Sequence, residues 1–280
     1  MTELRRRMIQ DMELRGFSPK TQKAYVDAVK GLAAFHHRSP DKLGDEEIRQ
    51  FFLHLVGERH AARSTVTIYL CGIKFFYEKT LGRELPVMNL VRPRKRVKLP
   101  VVLSTSETKE LLEHVRHPAY RMALTMIYSC GLRLSEGVHL KVADIDGQRM
   151  LVRVENGKGG KDRYVPLPER TRELLRSYYA TFRPKTWLFP AKSGDGPCNV
   201  SNVQKAFKSA VRQSSIGKNA SVHTLRHSYA TLLVESGVHL RTIQEILGHK
   251  SSQTTAVYTH LTQKVMDSLS STVNTIMADL

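Results

Sequence analysis

A chain of 280 residues can bury two cores, and 41% hydrophobic with 25% charged residues is the make-up of an ordinary soluble globular protein. Its 44 basic side chains outnumber its 26 acidic ones, and the net charge of +18 favours a polyanionic partner, either nucleic acid or a membrane surface. No apolar run is long enough to span a bilayer, and no apolar stretch follows Arg5-Arg6-Arg7 as a signal peptide requires. A basic amphipathic helix with bulky apolar anchors and a lipidation signal are both missing, so no membrane partner is expected and nucleic acid stands. Cys71, Cys130 and Cys198 are too scattered for a close-spaced zinc motif, and an odd count argues against a disulfide framework. The expectation is a cytoplasmic protein without metal or cofactor.

In chain order, Leu4, Met8 and Met12 have helical spacing, and Gly16 closes that helix. Ser18-Pro19 reads as an N-cap followed by proline at the first helical position, opening a helix with Tyr25, Val29, Leu32 and Phe35 on one face. Asp45 begins a third helix carrying Ile48, Phe52 and Leu55. Ser64 caps a fourth, whose apolar stripe of Ile68, Ile73, Phe76 and Tyr77 ends before Gly82. Lys20, Lys23, Arg63, Lys74 and Lys79 on these helices suit phosphate contacts as a set, although each alone reads as a solvated side chain. Pro86, Pro93 and Pro100 then break the pattern around the basic run Arg92-Pro93-Arg94-Lys95-Arg96-Val97-Lys98, an extended linker. The expected organisation is a helical domain at 1–88, a linker at 89–102 and a second domain at 103–280.

The second domain opens on Ser104-Thr105-Ser106-Glu107, a capping-box pattern. A buried helix with Met122, Leu124, Ile127 and Tyr128 ends at Gly131, and Gly131-Leu132-Arg133-Leu134-Ser135-Glu136 puts Arg133 at a junction between helices. From Ile145 to Leu167 the period becomes two, with strands at Met150–Val154 and Arg163–Leu167 around the glycine-rich turn Asn156-Gly157-Lys158-Gly159-Gly160-Lys161-Asp162. Helices are predicted again at 169–179, 200–211, 224–235, 240–247 and 262–277. The fold class is mainly α with a small antiparallel sheet in the second domain.

Breaking a phosphodiester without metal or water needs fixed positive charge on the nonbridging oxygens, a deprotonated nucleophile and a proton for the leaving oxygen. Arginine suits the first need because its fork binds two phosphate oxygens and stays charged. Arg133 and Arg226 sit in ordered, apolar-flanked contexts, and each read alone is a structural ion pair, Arg133 with Glu136 for instance. Lys158, at the tip of the hairpin, can swing into a groove and protonate a leaving oxygen, with Lys161 as competitor. His223 and His249 can hydrogen-bond a phosphate or shuttle a proton. Tyr258, with an ordinary pKa of about 10, needs nearby cations to become a phenolate.

Taken in order, these residues resemble the tyrosine recombinase (phage integrase) superfamily. Arg133 stands in Gly-Leu-Arg-Leu-Ser-Glu and Lys158 in Gly-Lys-Gly before the second strand. His223 and Arg226 stand in His-Thr-Leu-Arg-His-Ser, His249 in Leu-Gly-His, and Tyr258 in Thr-Thr-Ala-Val-Tyr-Thr-His. The resemblance covers nearly the whole chain, since the N-terminal helices look like the family's SAM-like core-binding domain, and the layout is similar to Xer-type and integron-type enzymes.

It implies a two-domain C-shaped clamp around double-stranded DNA with paired core sites. Tyr258 would attack to give a 3′-phosphotyrosyl link and a free 5′-hydroxyl, without ATP. Arg133 and Arg226 would stabilise the phosphorane, His223 and His249 would assist, Lys158 would be the general acid and Glu136 would buttress Arg133. The stripe of Val265, Leu269, Val273 and Ile276 on the last helix reads by itself as packing on its own domain, whereas the resemblance implies that it docks on a neighbouring protomer of a homotetramer, the arrangement expected here. The expected activity is site-specific recombination for a mobile element. Xer-type dimer resolution, topoisomerase-like relaxation and an idle DNA-binding protein are the alternatives.

Overall fold

A computed structural model describes residues 2–84, 86, 100–155, 162–248 and 263–278, without the side chains of Leu240 and of 263–268. The chain divides into two compact units, Met1–Lys98 and Leu99–Leu280. Among the described residues no helix is long and apolar enough to cross a membrane.

The first unit holds α1 (Glu3–Leu14), α2 (Pro19–His36), α3 (Asp45–Leu53) and α4 (Arg63–Phe75). Helix α1 buries Met8 and Met12, as its spacing predicts. It ends because Gly16 turns left-handed at φ +68°, so that Gly16 N–H reaches Glu13 O at 2.9 Å and Phe17 N–H reaches Met12 O at 3.0 Å. Two residues later Ser18 caps α2, its hydroxyl accepting from Thr21 N–H at 3.3 Å with Pro19 in the first turn.

Two expectations in this unit are corrected. Helix α4 starts at Arg63 without a side-chain cap, so Ser64 lies inside its first turn. Ile68 is 43% exposed whereas Val66 and Ile73 are buried. At 100° per residue, Ile68 points about 140° away from Ile73, off the core stripe. Phe35 lies at the rim, packed on the rings of His36, Phe51 and His54. Lys20, Lys23, Arg63 and Lys79 are exposed, and Lys74 pairs with Glu78 at 3.3 Å. The basic run Arg92–Lys98 lies outside the described residues.

The second unit starts at α5 (Thr105–Glu113), where Ser104 and Glu107 cap each other reciprocally at 3.1 and 2.7 Å. Helix α6 (Pro118–Ser129) is buried from Met122 through Ser129 and forms the centre of the core, followed by the short α7 (Leu134–Val138). Strands β1 (Ile145–Asp146), β2 (Leu151–Val154) and β3 (Arg163–Pro166) form one antiparallel sheet in that order, with Val154 opposite Arg163 at the hairpin base. Around them stand α8 (Glu169–Phe182), α9 (Val200–Gln213), α10 (Val222–Glu235), α11 (Leu240–Leu247) and α12 (Gln263–Ile276).

In the single chain the last helix packs on its own unit. Leu269, Val273 and Met277 are buried in the core of their own unit, where α12 packs on α10 and β3, and the Asn274 side chain accepts from Glu169 N–H. Hydrophobic burial has no preferred direction, so in a single chain the stripe is covered by the nearest apolar surface, which is its own.

Candidate active site

The site grows from the left-handed residue that ends α6. Gly131 has φ +61°, and a Cβ there would lie 2.5 Å from Tyr229 Cδ1 and 2.9 Å from Leu247 Cδ2. Only glycine fits, because the turn is pressed against α10 and α11. Gly131→Ala is expected to destabilise the unit by about 1–3 kcal/mol, seen as a lower Tm in thermal denaturation, through overpacking and left-handed strain together.

That turn delivers Arg133 to the N-cap position of α7, and Glu136 follows one turn later with its side chain 7% exposed. Glu136 Oε1 accepts from Arg133 Nη1 at 2.6 Å and from Arg163 Nη1 at 2.9 Å. Its Oε2 accepts from the Arg133 backbone N–H at 2.8 Å and from Arg163 Nη2 at 2.7 Å. Arg226 approaches the same oxygen, Nη1 to Oε2, at 3.9 Å. Arg226 is buried because Val222, Leu225 and Tyr229 bury its side of α10, which carries it inward with them. Two of the six expected site residues, Arg133 and Arg226, are thus brought together around one carboxylate.

The C-terminal end of α11 closes the group. Three successive carbonyls there each take a bond from a different arginine: Ile246 O from Arg163 Nε at 2.7 Å, Leu247 O from Arg226 Nη2, and Gly248 O from Arg133 Nη2 at 2.6 Å. These carbonyls have no partner within the helix and carry the negative end of its dipole, so cations suit them doubly. Arg226 Nη1 also donates to Gly131 O at 2.6 Å. Gly248 ends α11 left-handed at φ +62°, which accounts for the glycine of Leu-Gly-His.

The electrostatics follow from this crowding. Burial alone would raise the Glu136 carboxyl, but the hydrogen bonds and charge of Arg163, then those of Arg133, outweigh it and bring it down to about 2. Burial and the neighbouring Arg133 charge lower Arg226 to about 10, which leaves it protonated at neutral pH.

His223 is exposed in the first turn of α10, three residues before Arg226. His227, one turn further on, is lowered by burial and then by the charges of His223 and Arg226. Lys158, Lys161, His249 and Tyr258 lie outside the described residues.

The other nucleophile candidates nearby are unsuited to attack. Burial pushes the Cys130 thiol up to about 12 and the Cys198 thiol up to about 11. Burial likewise raises the Tyr229 phenol, which lies beside Arg226 but is shut in the core without a hydrogen-bond partner among the described residues.

Arg163 is the residue that the sequence reading missed. A signal was present: in the alternation from Arg163 to Leu167 it falls on the same side as Val165 and Leu167, both fully buried. An arginine on the apolar side of a strand needs a buried partner, and Glu136 is that partner.

Comparison with known proteins agrees with the fold. Residues 102–264 match the phage integrase family, and residues 4–87 match the phage integrase N-terminal SAM-like domain. A Sinorhizobium fredii protein named as an integrase/recombinase is 43% identical over 267 residues, covering 95% of this chain and 87% of its own length. The tyrosine recombinase XerC of Staphylococcus saprophyticus is 31% identical over 265 residues, covering 89% of this chain and 88% of its own. Among solved structures, a lambda integrase dimer bound to a core site superposes with a TM-score of 0.73 at 17% identity, covering 91% of this chain and 98% of the other. The chain belongs to the phage integrase family. Its activity is that of a tyrosine-type site-specific recombinase.

Proposed function

We propose that this recombinase cuts and rejoins double-stranded DNA through a 3′-phosphotyrosyl intermediate on Tyr258, acting in the cytoplasm for a mobile element. The observation that carries the chemistry is the arginine cluster. Arg133, Arg163 and Arg226 surround the single carboxylate of Glu136, and three guanidiniums less one carboxylate leave a surplus of +2. A phosphodiester brings one negative charge and a pentavalent phosphorane two, so the surplus is matched best in the transition state.

The Tyr258 oxygen attacks phosphorus, the bond to the 5′-oxygen breaks, and Lys158 supplies the proton that the leaving oxygen takes. Arg133 and Arg226 hold the nonbridging oxygens, while His223 and His249 donate hydrogen bonds to them. The bond energy stays in the phosphotyrosine, and a 5′-hydroxyl from the same or a partner duplex reverses the step without ATP. The exposed Lys20, Lys23, Arg63 and Lys79 of the first unit, with the linker run, would contact backbone phosphates.

Assembly follows the relatives in outline. A lambda integrase tetramer has been solved on a Holliday junction, and a tetramer on paired core sites is the corresponding state here. Docking of α12 on a neighbour would then require it to leave the core position that Leu269 and Val273 hold. The similarity to XerC supports a second reading, resolution of joined replicons.

Nicked suicide duplexes drawn from the DNA flanking the coding region test the proposal. Wild type is expected to become covalently attached to the 3′-phosphate strand in denaturing gels, and Tyr258→Phe is expected to give no adduct. Equal behaviour of the two proteins would overturn the role of Tyr258. Products from paired substrates then separate integration from resolution of direct repeats.

A further inference from the structure

Arg163 has a place in this site that the six expected residues leave unexplained. It is 4% exposed, close to the 6% of Arg226, so what sets it apart is the set of donors it has committed and not its burial. Its donors are directed inward, two to Glu136 at 2.9 and 2.7 Å and the third to Ile246 O at 2.7 Å. The two-pronged bond to Glu136 is geometrically the more restrictive, since Arg133 gives that carboxylate only one side-chain bond and turns its other terminal nitrogen toward Gly248 O.

Three chain segments meet at this one side chain. Arg163 is the first residue of β3 and pairs with Val154 at the base of the hairpin whose turn carries Lys158. Its guanidinium holds Glu136, which holds Arg133. Its stem lies against the exit of α11, where a Cβ on Gly248 would come within 3.3 Å of Arg163 Cδ and 3.4 Å of Nε. His249 is the next residue, and Tyr258 follows in the same segment.

We infer that Arg163 is a positioning residue for DNA cleavage, aligning Arg133 through Glu136 and fixing the exit of α11 that leads to His249 and Tyr258. This inference rests on the phosphotyrosine chemistry proposed above. It separates two tasks within the cluster: Arg133 and Arg226 exchange carbonyl partners for phosphate oxygens, whereas Arg163 keeps its partners throughout. A lysine at 163 would retain the charge but offer one nitrogen where the site uses three directions.

The test is Arg163→Lys in the full-length protein on the nicked suicide duplex, with DNA affinity, single-turnover adduct formation and Tm all measured. Affinity is expected to stay within about threefold of wild type, because Arg163 keeps its bonds to Glu136 and Ile246 O and leaves the phosphate contacts to other residues. The adduct rate is expected to fall on the order of 100-fold at temperatures well below the Tm, the cost of misplaced reacting groups. A purely structural role would lower the Tm and leave that rate unchanged, and this result would overturn the inference. Wild type failing to form the adduct would instead sink the proposed chemistry, so the two failures are told apart.

Should Arg163→Lys not fold, the wild-type protein decides by NMR of its arginine Nε–H groups. The Arg163 signal is expected to stay in place on adding the nicked duplex while those of Arg133 and Arg226 move. A shift of Arg163 as large as theirs would mean that it meets phosphate itself, and the inference would fall.

Discussion

Glu136→Gln is expected to cost the second unit about 3–5 kcal/mol, because it leaves Arg163 buried without a counter-charge while keeping the shape of the side chain. Glutamine offers one carbonyl oxygen and an amide that can only donate, against the four donors that the two carboxylate oxygens now satisfy. One of the forks that Arg163 presents would therefore face an N–H.

The depressed acidity of Glu136 points to a contribution of similar size. A carboxyl held at about 2 in the folded chain against 4.5 unfolded corresponds to roughly 3 kcal/mol of stabilisation once ionised in both states. Because the folded value is the depressed one, that contribution is complete above the unfolded value of 4.5 and is lost as pH falls toward about 2. Urea unfolding of wild type and Glu136→Gln at a series of acidic pH values checks both points. The wild-type curve should fall more steeply across that window, and the two stabilities should converge at its acid end. Parallel curves would show that Glu136 carries no such charge.

Arg226→Lys is expected to reduce the rate of adduct formation about 10²–10³-fold, the range found on removing one donor from a developing oxyanion. The substitution is conservative in charge alone. Arg226 spans Gly131 O and Leu247 O with separate nitrogens, and a single ammonium cannot reach both in that geometry. Burial and Arg133 already lower the arginine to about 10, and a lysine starts from about 10.4, so the same surroundings would push it toward neutrality. The variant should therefore lose further activity as pH rises through the neutral range, where wild type keeps its charge. Single-turnover cleavage followed against pH checks this, and a flat ratio of variant to wild type would count against it.

Much of this was open to inspection in the amino-acid order, and the reason is locality. The Ser18-Pro19 start, the Ser104–Glu107 box and the Gly131 turn are each decided by residues within one helical turn of each other. Glu136 as partner of Arg133 lies within the same reach. Arg163 escaped because its partners are 27 and 83 positions away. The apolar stripe of α12 was visible, but a stripe says only that something covers it; whether the cover is Val165 and its neighbours or another chain is a tertiary matter. The orientation of Ile68 failed for a related reason, since helical phase is counted from where the core lies.

The arginine–glutamate cluster holds the second unit together as well as suiting it for phosphate, and that has a consequence for how such genes decay. A copy that no longer recombines DNA is free to change Tyr258. It is not free to change Glu136 or Arg163 singly, because the first step leaves Arg163 buried without a counter-charge and the second takes from Glu136 its two-pronged partner. Inactive descendants of this chain should therefore keep Arg133, Glu136 and Arg163 long after the proposed nucleophile has gone. Finding those three residues in a degenerate copy would date its fold, whereas only an intact tyrosine would speak for its chemistry.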